Sequence, residues 1–195
     1  MASSTMPATD GADLARRAAD AVAARLAGQP LDGRPPAAVT LRALGATFVT
    51  LEATGALLGC IGSIDAGRPI YLDAMHNAVR AAADPRLPPV TPAQWGGVDV
   101  KVSVLSRPEL LAVANRAELL ALLRPGVDGL VLADDRRRAT FLPSVWRKVP
   151  EPARFISALL AKGGWPRAVR TGCGWPADIT VRRYTVVEFT DPAPR

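Results

Sequence analysis

Residues 47–62 restrict this chain more than any other stretch. Thr47-Phe48-Val49-Thr50-Leu51-Glu52 alternates apolar and polar side chains, and Ala53-Thr54-Gly55 supplies a turn. The return strand, Gly55-Ala56-Leu57-Leu58-Gly59-Cys60-Ile61-Gly62, carries a cysteine flanked by glycines. Simple parity sends Leu58 and Cys60 to one face and Leu57, Gly59 and Ile61 to the other. Glycine inside a strand packs nothing, and it marks a bulge or a close approach by ligand or backbone. Gly59 and Gly62 are therefore read as leaving room around the thiol, with Ser63 opening the turn-rich loop that follows. On the residues alone, the preferred reading of Cys60 is one more small buried hydrophobe, as free cysteines often are.

The remaining composition removes several classes of function. A chain of 195 residues with 49% hydrophobic residues is long enough for a proper core. It contains no uninterrupted apolar run of about 18 residues, so no membrane span is expected. Met1 to Gly11 lacks a basic segment followed by an apolar one, so no signal peptide is expected either. With two cysteines, Cys60 and Cys173, there is no disulfide framework, and a cytoplasmic protein is the default expectation. The single histidine, His76, does not combine with the cysteines at metal-ligand spacing, and no metal or cofactor is expected. Gly-x-Ser-x-Gly, Walker and Gly-x-Gly-x-x-Gly patterns are absent. A net charge of +6 invites a nucleic-acid reading. The basic residues other than Lys101, Lys148 and Lys162 are all arginine, which fits the codon bias of a GC-rich genome, and they are scattered in sequence. Nucleic-acid binding is weakly supported on this ground.

Taken in order, the chain alternates helices and hairpins. Thr9 or Asp10 can cap a helix with Leu14, Ala18, Val22 and Leu26 inward, and Gly28 ends it. A proline-rich linker, Pro30 to Ala38, leads to the hairpin. A helix is expected over 70–83, with Leu72, Met75, His76, Val79 and Ala83 on the apolar stripe and Asp73, Asn77, Arg80 and Asp84 opposite. His76 would then be a core histidine, or would face Cys60 across the sheet and tune the thiol. Asp84-Pro85-Arg86-Leu87-Pro88-Pro89-Val90-Thr91 is a stiff loop offering one carboxylate and one guanidinium. If the helix returns towards the start of the hairpin, that loop must cross back to bring Arg86 near Cys60. Val98, Val100, Val102 and Val104 mark a half-buried strand, and Asn115-Arg116-Ala117-Glu118 opens a short helix through Leu123. Gly129–Leu132 and Ala139–Leu142 form a second hairpin around Arg136-Arg137-Arg138. Pro152 starts a helix ended by Gly163-Gly164, and Trp165–Pro176 is a loop holding Cys173. Ile179 to Phe189 is a last strand, with a break near Arg182-Arg183. The expected fold is α+β, hairpin-rich, with a mainly antiparallel sheet, flanking helices and two lobes, over residues 10–190 with tails at 1–9 and 191–195.

Several separated motifs resemble the AMMECR domain. They are Gly45-Ala46-Thr47-Phe48-Val49-Thr50-Leu51, Leu58-Gly59-Cys60-Ile61-Gly62, the Asp84–Thr91 loop, Val102-Ser103-Val104-Leu105, Ala139-Thr140-Phe141-Leu142-Pro143 and Leu159–Trp165. The resemblance covers Leu14 to Phe189, and its prokaryotic members are called AmmeMemoRadiSam system protein A. It implies an α+β fold in two lobes with the cysteine motif near the cleft, and companions of Memo-like and radical-SAM type. It implies no established reaction. This chain departs from the family pattern Leu-Arg-Gly-Cys-Ile-Gly by having Leu58 in the arginine's place. Parity would put that arginine on the face of Cys60, so its loss makes thiol activation less favourable here. Leu87 stands where the family usually has Phe.

Two readings follow. In one, the protein is an accessory or binding module for Memo-like or radical-SAM partners, with Gly59, Gly62, Ser63, Asp84 and Arg86 as candidate binding residues. In the other, it is a cysteine-dependent enzyme or redox protein using Cys60, with His76, Asp84 and Arg86 as supporting groups. The dependence of thiol reactivity on pH separates them. Cys60 and Cys173 are expected to stay unbonded to each other, given a reducing compartment and the glycine-flanked loop around Cys173. Intact mass under non-reducing conditions checks this; a chain lighter by two hydrogens would contradict it.

Overall fold

The computed structural model describes residues 6–172 and 174–193. The expectations for Cys173 and for residues 1–5, 194 and 195 lie outside the described residues. The chain divides into two compact units, one running up to Leu105 and resuming at Val187, the other spanning Ser106–Val186. The α+β class holds in both, with antiparallel sheets and helices on them.

In the first unit, α1 (Ala8–Leu26) leads through α2 (Val39–Arg42) and β1 (Leu44–Gly45) to the hairpin of β2 (Thr47–Ala53) and β3 (Ala56–Gly62). After β4 (Arg68–Pro69) come α3 (Ile70–Ala81), α4 (Pro92–Trp95) and β5 (Asp99–Leu105), and the chain returns late as β10 (Val186–Asp191). The main sheet has the order β10-β5-β2-β3, so β3 is an edge strand, while β1 and β4 form a two-stranded ribbon. The turn at Thr54 and Gly55 takes both residues to positive φ, 49° and 81°, as a tight hairpin turn requires. α1 starts one residue earlier than its expected cap, at Ala8 with Pro7 as N-cap. Asp10 lies inside the first turn, where its charge suits the helix dipole, and accepts a hydrogen bond from Thr40 Oγ1. Leu14, Ala18 and Val22 are fully buried as their spacing predicts, each branched side chain contributing about 1.5–3 kcal/mol.

The facing of α3 keeps Met75 of the expected stripe buried and Arg80 outside, and overturns the rest. Asp73, Ala74, Asn77, Ala78 and Ala81 are buried, whereas His76 and Ala83 are exposed and Leu72 and Val79 lie at the rim. The reason is that α3 is covered on two sides, by α1 and by the sheet. A helix in that position needs small residues more than large ones, so the alanine-rich face goes in. Its two polar members enter because they are fully hydrogen-bonded.

At its C-terminal end α3 sits directly on β3. A Cβ built on Gly59 would lie 1.9 Å from the Ala81 carbonyl oxygen, and one on Gly62 would lie 2.2 Å from the Phe48 ring. Both gaps beside Cys60 are therefore filled from within the protein, which corrects their reading as space around the thiol. The hairpin also carries a bulge: Leu51 faces Gly59 and Glu52 faces Leu57, leaving Leu58 as the extra residue. Leu58 packs against the helix-side core, so simple parity fails there and Leu58 does not share the face of Cys60.

The second unit holds β6 (Glu109–Leu111), α5 (Arg116–Leu122), β7 (Gly129–Ala133), β8 (Arg138–Phe141), a 3-10 turn (Pro143–Arg147), α6 (Pro152–Lys162), α7 (Arg167–Thr171) and β9 (Thr180–Tyr184). Its sheet order is β6-β9-β7-β8. Asn115 Oδ1 accepts from the Glu118 N–H at 2.9 Å, as the cap signature predicts, and Glu118 returns to the Ala114 N–H at 2.8 Å. The core centres on Phe155, stacked on Trp146 at 3.8 Å and edge-on to Phe141 at 5.3 Å. Burial pushes the Tyr184 hydroxyl up to about 12, and its oxygen lies 2.8 Å from Thr140 Oγ1. The expected final strand is two strands, β9 and β10, in different sheets. The break falls at Thr185 rather than at Arg182-Arg183, where Ser106 holds both the Thr185 N–H and its carbonyl.

Gly59→Ala is expected to destabilise the protein by about 3 kcal/mol, because the added methyl meets helix backbone that cannot rotate away. Gly67→Ala, whose Cβ meets nothing within 4 Å, is expected to change stability by less than about 0.5 kcal/mol. Urea unfolding of both variants checks the difference.

Candidate functional site

Cys60 faces away from α3, because its neighbour Gly59 faces the helix and successive strand residues alternate. It pairs with Thr50 on β2, which pairs in turn with Lys101 on β5, so the three side chains form a row across the open face of the sheet. Thr50 Oγ1 donates to Cys60 Sγ at 3.4 Å. Lys101 Nζ is held 2.6 Å from Glu52 Oε2, an ion pair that raises the lysine's pKa. Farther along the same face, Ser103 Oγ lies 3.4 Å from Glu188 Oε2.

The backbone of Cys60 is what the Asp84–Arg86 loop recognises. Its N–H donates to Asp84 Oδ2 at 3.0 Å, and its carbonyl accepts from Arg86 Nη2 at 2.7 Å. Both groups point off the sheet, since β3 has no strand beyond it. Arg86 also grips Asp84 through Nε at 2.9 Å and Nη2 at 2.6 Å, and its own N–H reaches Asp84 Oδ1 at 3.1 Å. The carboxylate thus stands where a neighbouring strand's carbonyl would be, and the guanidinium where its N–H would be. An ion pair takes the place of one residue of a missing strand and protects the edge. The Arg86 hydrogen bond is the main cause holding Asp84 well below the usual carboxylate range, and Asp84 in turn raises Arg86. Because α3 ends at Gly59, this loop reaches Cys60 directly and does not cross back over the sheet.

The structure brings Asp84 and Arg86 to Cys60, but it does not bring His76. That side chain is on the exposed side of α3, with the helix and the sheet between it and the thiol. Partial desolvation, with Arg68 and Arg80 nearby, pulls its pKa below the ordinary histidine value. Ser63 belongs to a different cluster that sequence reasoning missed. Asp73, 1% exposed, accepts from the Thr47 N–H at 2.9 Å, Thr47 Oγ1 at 2.8 Å, Ser63 Oγ at 2.8 Å and Asn77 Nδ2 at 2.9 Å. Arg68 Nε adds an ion pair at 3.4 Å. Asn77 Nδ2 also reaches the Thr47 carbonyl at 3.1 Å. The signal available was an Asp and an Asn four apart in a helix whose neighbours are alanine. Such a pair can bond along the helix and enter a core together. Among the described residues no group of three or more His, Cys, Asp or Glu is arranged to hold a metal ion, and no helix is long and apolar enough to cross a membrane.

These features define an α+β protein whose cysteine strand is locked at a sheet edge by an Asp-x-Arg pair. The chain belongs to the AMMECR1 family, whose model matches residues 14–189. It is 31% identical to a Thermofilum pendens protein over 97% of this chain and 93% of that one. It is 38% identical to a Methanothermobacter thermautotrophicus protein over 73% of each chain. The crystal structure of uncharacterized protein PH0010 from Pyrococcus horikoshii matches with a TM-score of 0.85 at 27% identity, covering 95% of this chain and 93% of that one.

The clamp has a pH signature. Asp84 is depressed in the folded state, so its contribution is full above the unfolded carboxylate value near 4 and is lost as pH falls below it. Asp84→Asn replaces one of these acceptor oxygens with an amide donor facing other donors, and is expected to cost about 2 kcal/mol near neutrality. The variant's unfolding free energy should fall less than the parent's between about pH 5 and pH 3. Urea melts of both proteins across that range check the sign; equal slopes would contradict it.

Proposed function

We propose that this protein is an accessory binding module, working with Memo-like and radical-SAM partners, in which the strand bearing Cys60 is a rigid recognition element. The observation that carries this reading is the use made of the two charged groups nearest the thiol. Asp84 and Arg86 are committed to the Cys60 backbone and to each other, and His76 lies elsewhere, so no side chain described here stands as a base towards Sγ. A nucleophilic cysteine works with an adjacent base or cation directed at the sulfur. The hydrogen bond from Thr50 holds the thiol in one orientation, which suits a contact surface. The open face beside it, with Lys101 and Glu52 paired, offers polar groups for a small molecule or a peptide segment.

The alternative, a cysteine-dependent enzyme or redox protein, takes support from the polar row Cys60–Thr50–Lys101 and from the Arg86 charge near the strand. Two measurements divide the readings. The full chain is mixed with the Memo-like and radical-SAM proteins of its own organism, and complex formation is followed by calorimetry. Cys60→Ser is expected to bind within about threefold of the parent, while Arg86→Gln, which loosens the strand, is expected to weaken binding by at least about tenfold. In parallel, Cys60 alkylation is expected to be no faster than that of a simple thiol between about pH 5 and pH 9. Absence of any complex together with fast alkylation would replace the binding reading with the enzymatic one.

A further inference from the structure

The net positive charge of the chain belongs to one unit. Ser106–Val186 holds 14 lysines and arginines against seven aspartates and glutamates, a balance of +7 in 81 residues. The other 114 residues hold ten against 11, a balance of −1. Codon bias spreads arginine over a whole chain and does not account for this separation. Within the second unit, Arg124, Arg137, Arg154 and Arg183 are paired with Asp128, Asp134, Glu151 and Glu109. Arg107, Arg136, Arg147, Lys148, Arg167 and Arg182 are exposed and form no ion pair among the described residues. They come from five different places: the entry to β6, the β7–β8 tip, the end of the 3-10 turn with its next residue, the start of α7, and β9.

We infer that Ser106–Val186 binds the phosphate backbone of double-stranded nucleic acid without reading its sequence. Exposed cations spread over a unit suit an extended polyanion better than a single bound phosphate. Arginine presents a planar fork that matches phosphate oxygens. The duplex is favoured over single strands because stacking platforms are missing: Trp146, Phe155, Trp165 and Tyr184 are buried, and Phe141 and Trp175 are only half-exposed. Contacts to phosphate position a protein and carry no base information.

The test uses the full chain and two unrelated duplexes of about 20 base pairs, with fluorescence anisotropy from about 50 to 200 mM salt. Equal affinity for both duplexes is expected, with a log–log salt slope between about −3 and −6. Combined Arg107→Gln, Arg147→Gln, Lys148→Gln and Arg182→Gln should weaken binding by at least about tenfold and flatten the slope by about 3. Arg25→Gln, Arg42→Gln and Arg80→Gln together, exposed arginines of the other unit, should change affinity by less than about twofold. Circular dichroism confirms that both variants are folded. No binding at the lowest salt, an equal loss in the control variant, or tighter binding to single strands would overturn the inference. Displacement by polyglutamate at equal charge would overturn it in favour of an acidic protein partner.

Discussion

The fold of the first unit depends on one close approach, the carbonyl of Ala81 against the bare α-carbon of Gly59. Without a side chain on β3 at that point, α3 can settle until backbone meets backbone. That depth brings Asp84, three residues beyond the helix, level with the free edge of Cys60. It also explains the composition of α3. A helix seated so low between α1 and the sheet has room for Ala74, Ala78 and Ala81 and none for a stripe of leucines. Of the residues that look apolar by periodicity, Met75 stays buried, Leu72 and Val79 lie at the rim, and His76 goes to solvent.

Two buried carboxylates do complementary work around this contact. Asp73 ties the inner face of α3 to the beginning of β2 and to the loop after β3, through Thr47, Asn77 and Ser63. Asp84 ties the end of the helix region to the outer edge of β3. Each is compensated in full, which burial of a charge demands. The pair fixes α3 along its length, and Cys60 inherits a rigid backbone from it. A thiol so mounted is well placed to be recognised, while its nearest charged groups are occupied elsewhere. The Leu58 departure has less bearing on the thiol than parity suggests, because the bulge has already removed that position from the face of Cys60.

The second unit is built on different terms. Its core relies on stacked aromatics and on α6, and it carries the net positive charge of the protein. Charge at the surface costs little in stability and governs encounter with other molecules. The arginines look scattered along the sequence, and their excess shows only when they are counted within the continuous stretch Ser106–Val186 that the fold sets apart.

Local pattern was legible wherever one face decides an element. The β2–β3 hairpin, the valines of β5, the inward stripe of α1 and the Asn115 cap could all be read from residues alone, since period and turn chemistry act over short distances. The family motifs located the Asp84–Arg86 loop and Cys60 as parts of one protein, but not the bond between them. Tertiary structure decided that Gly59 serves a helix rather than a ligand, that Asp73 and Asn77 face inward and that His76 faces out. It also decided that the last strand divides between two sheets. Each of these turns on what covers a second face or caps a free edge. That information comes from segments distant in the chain, and no period within a single element encodes it.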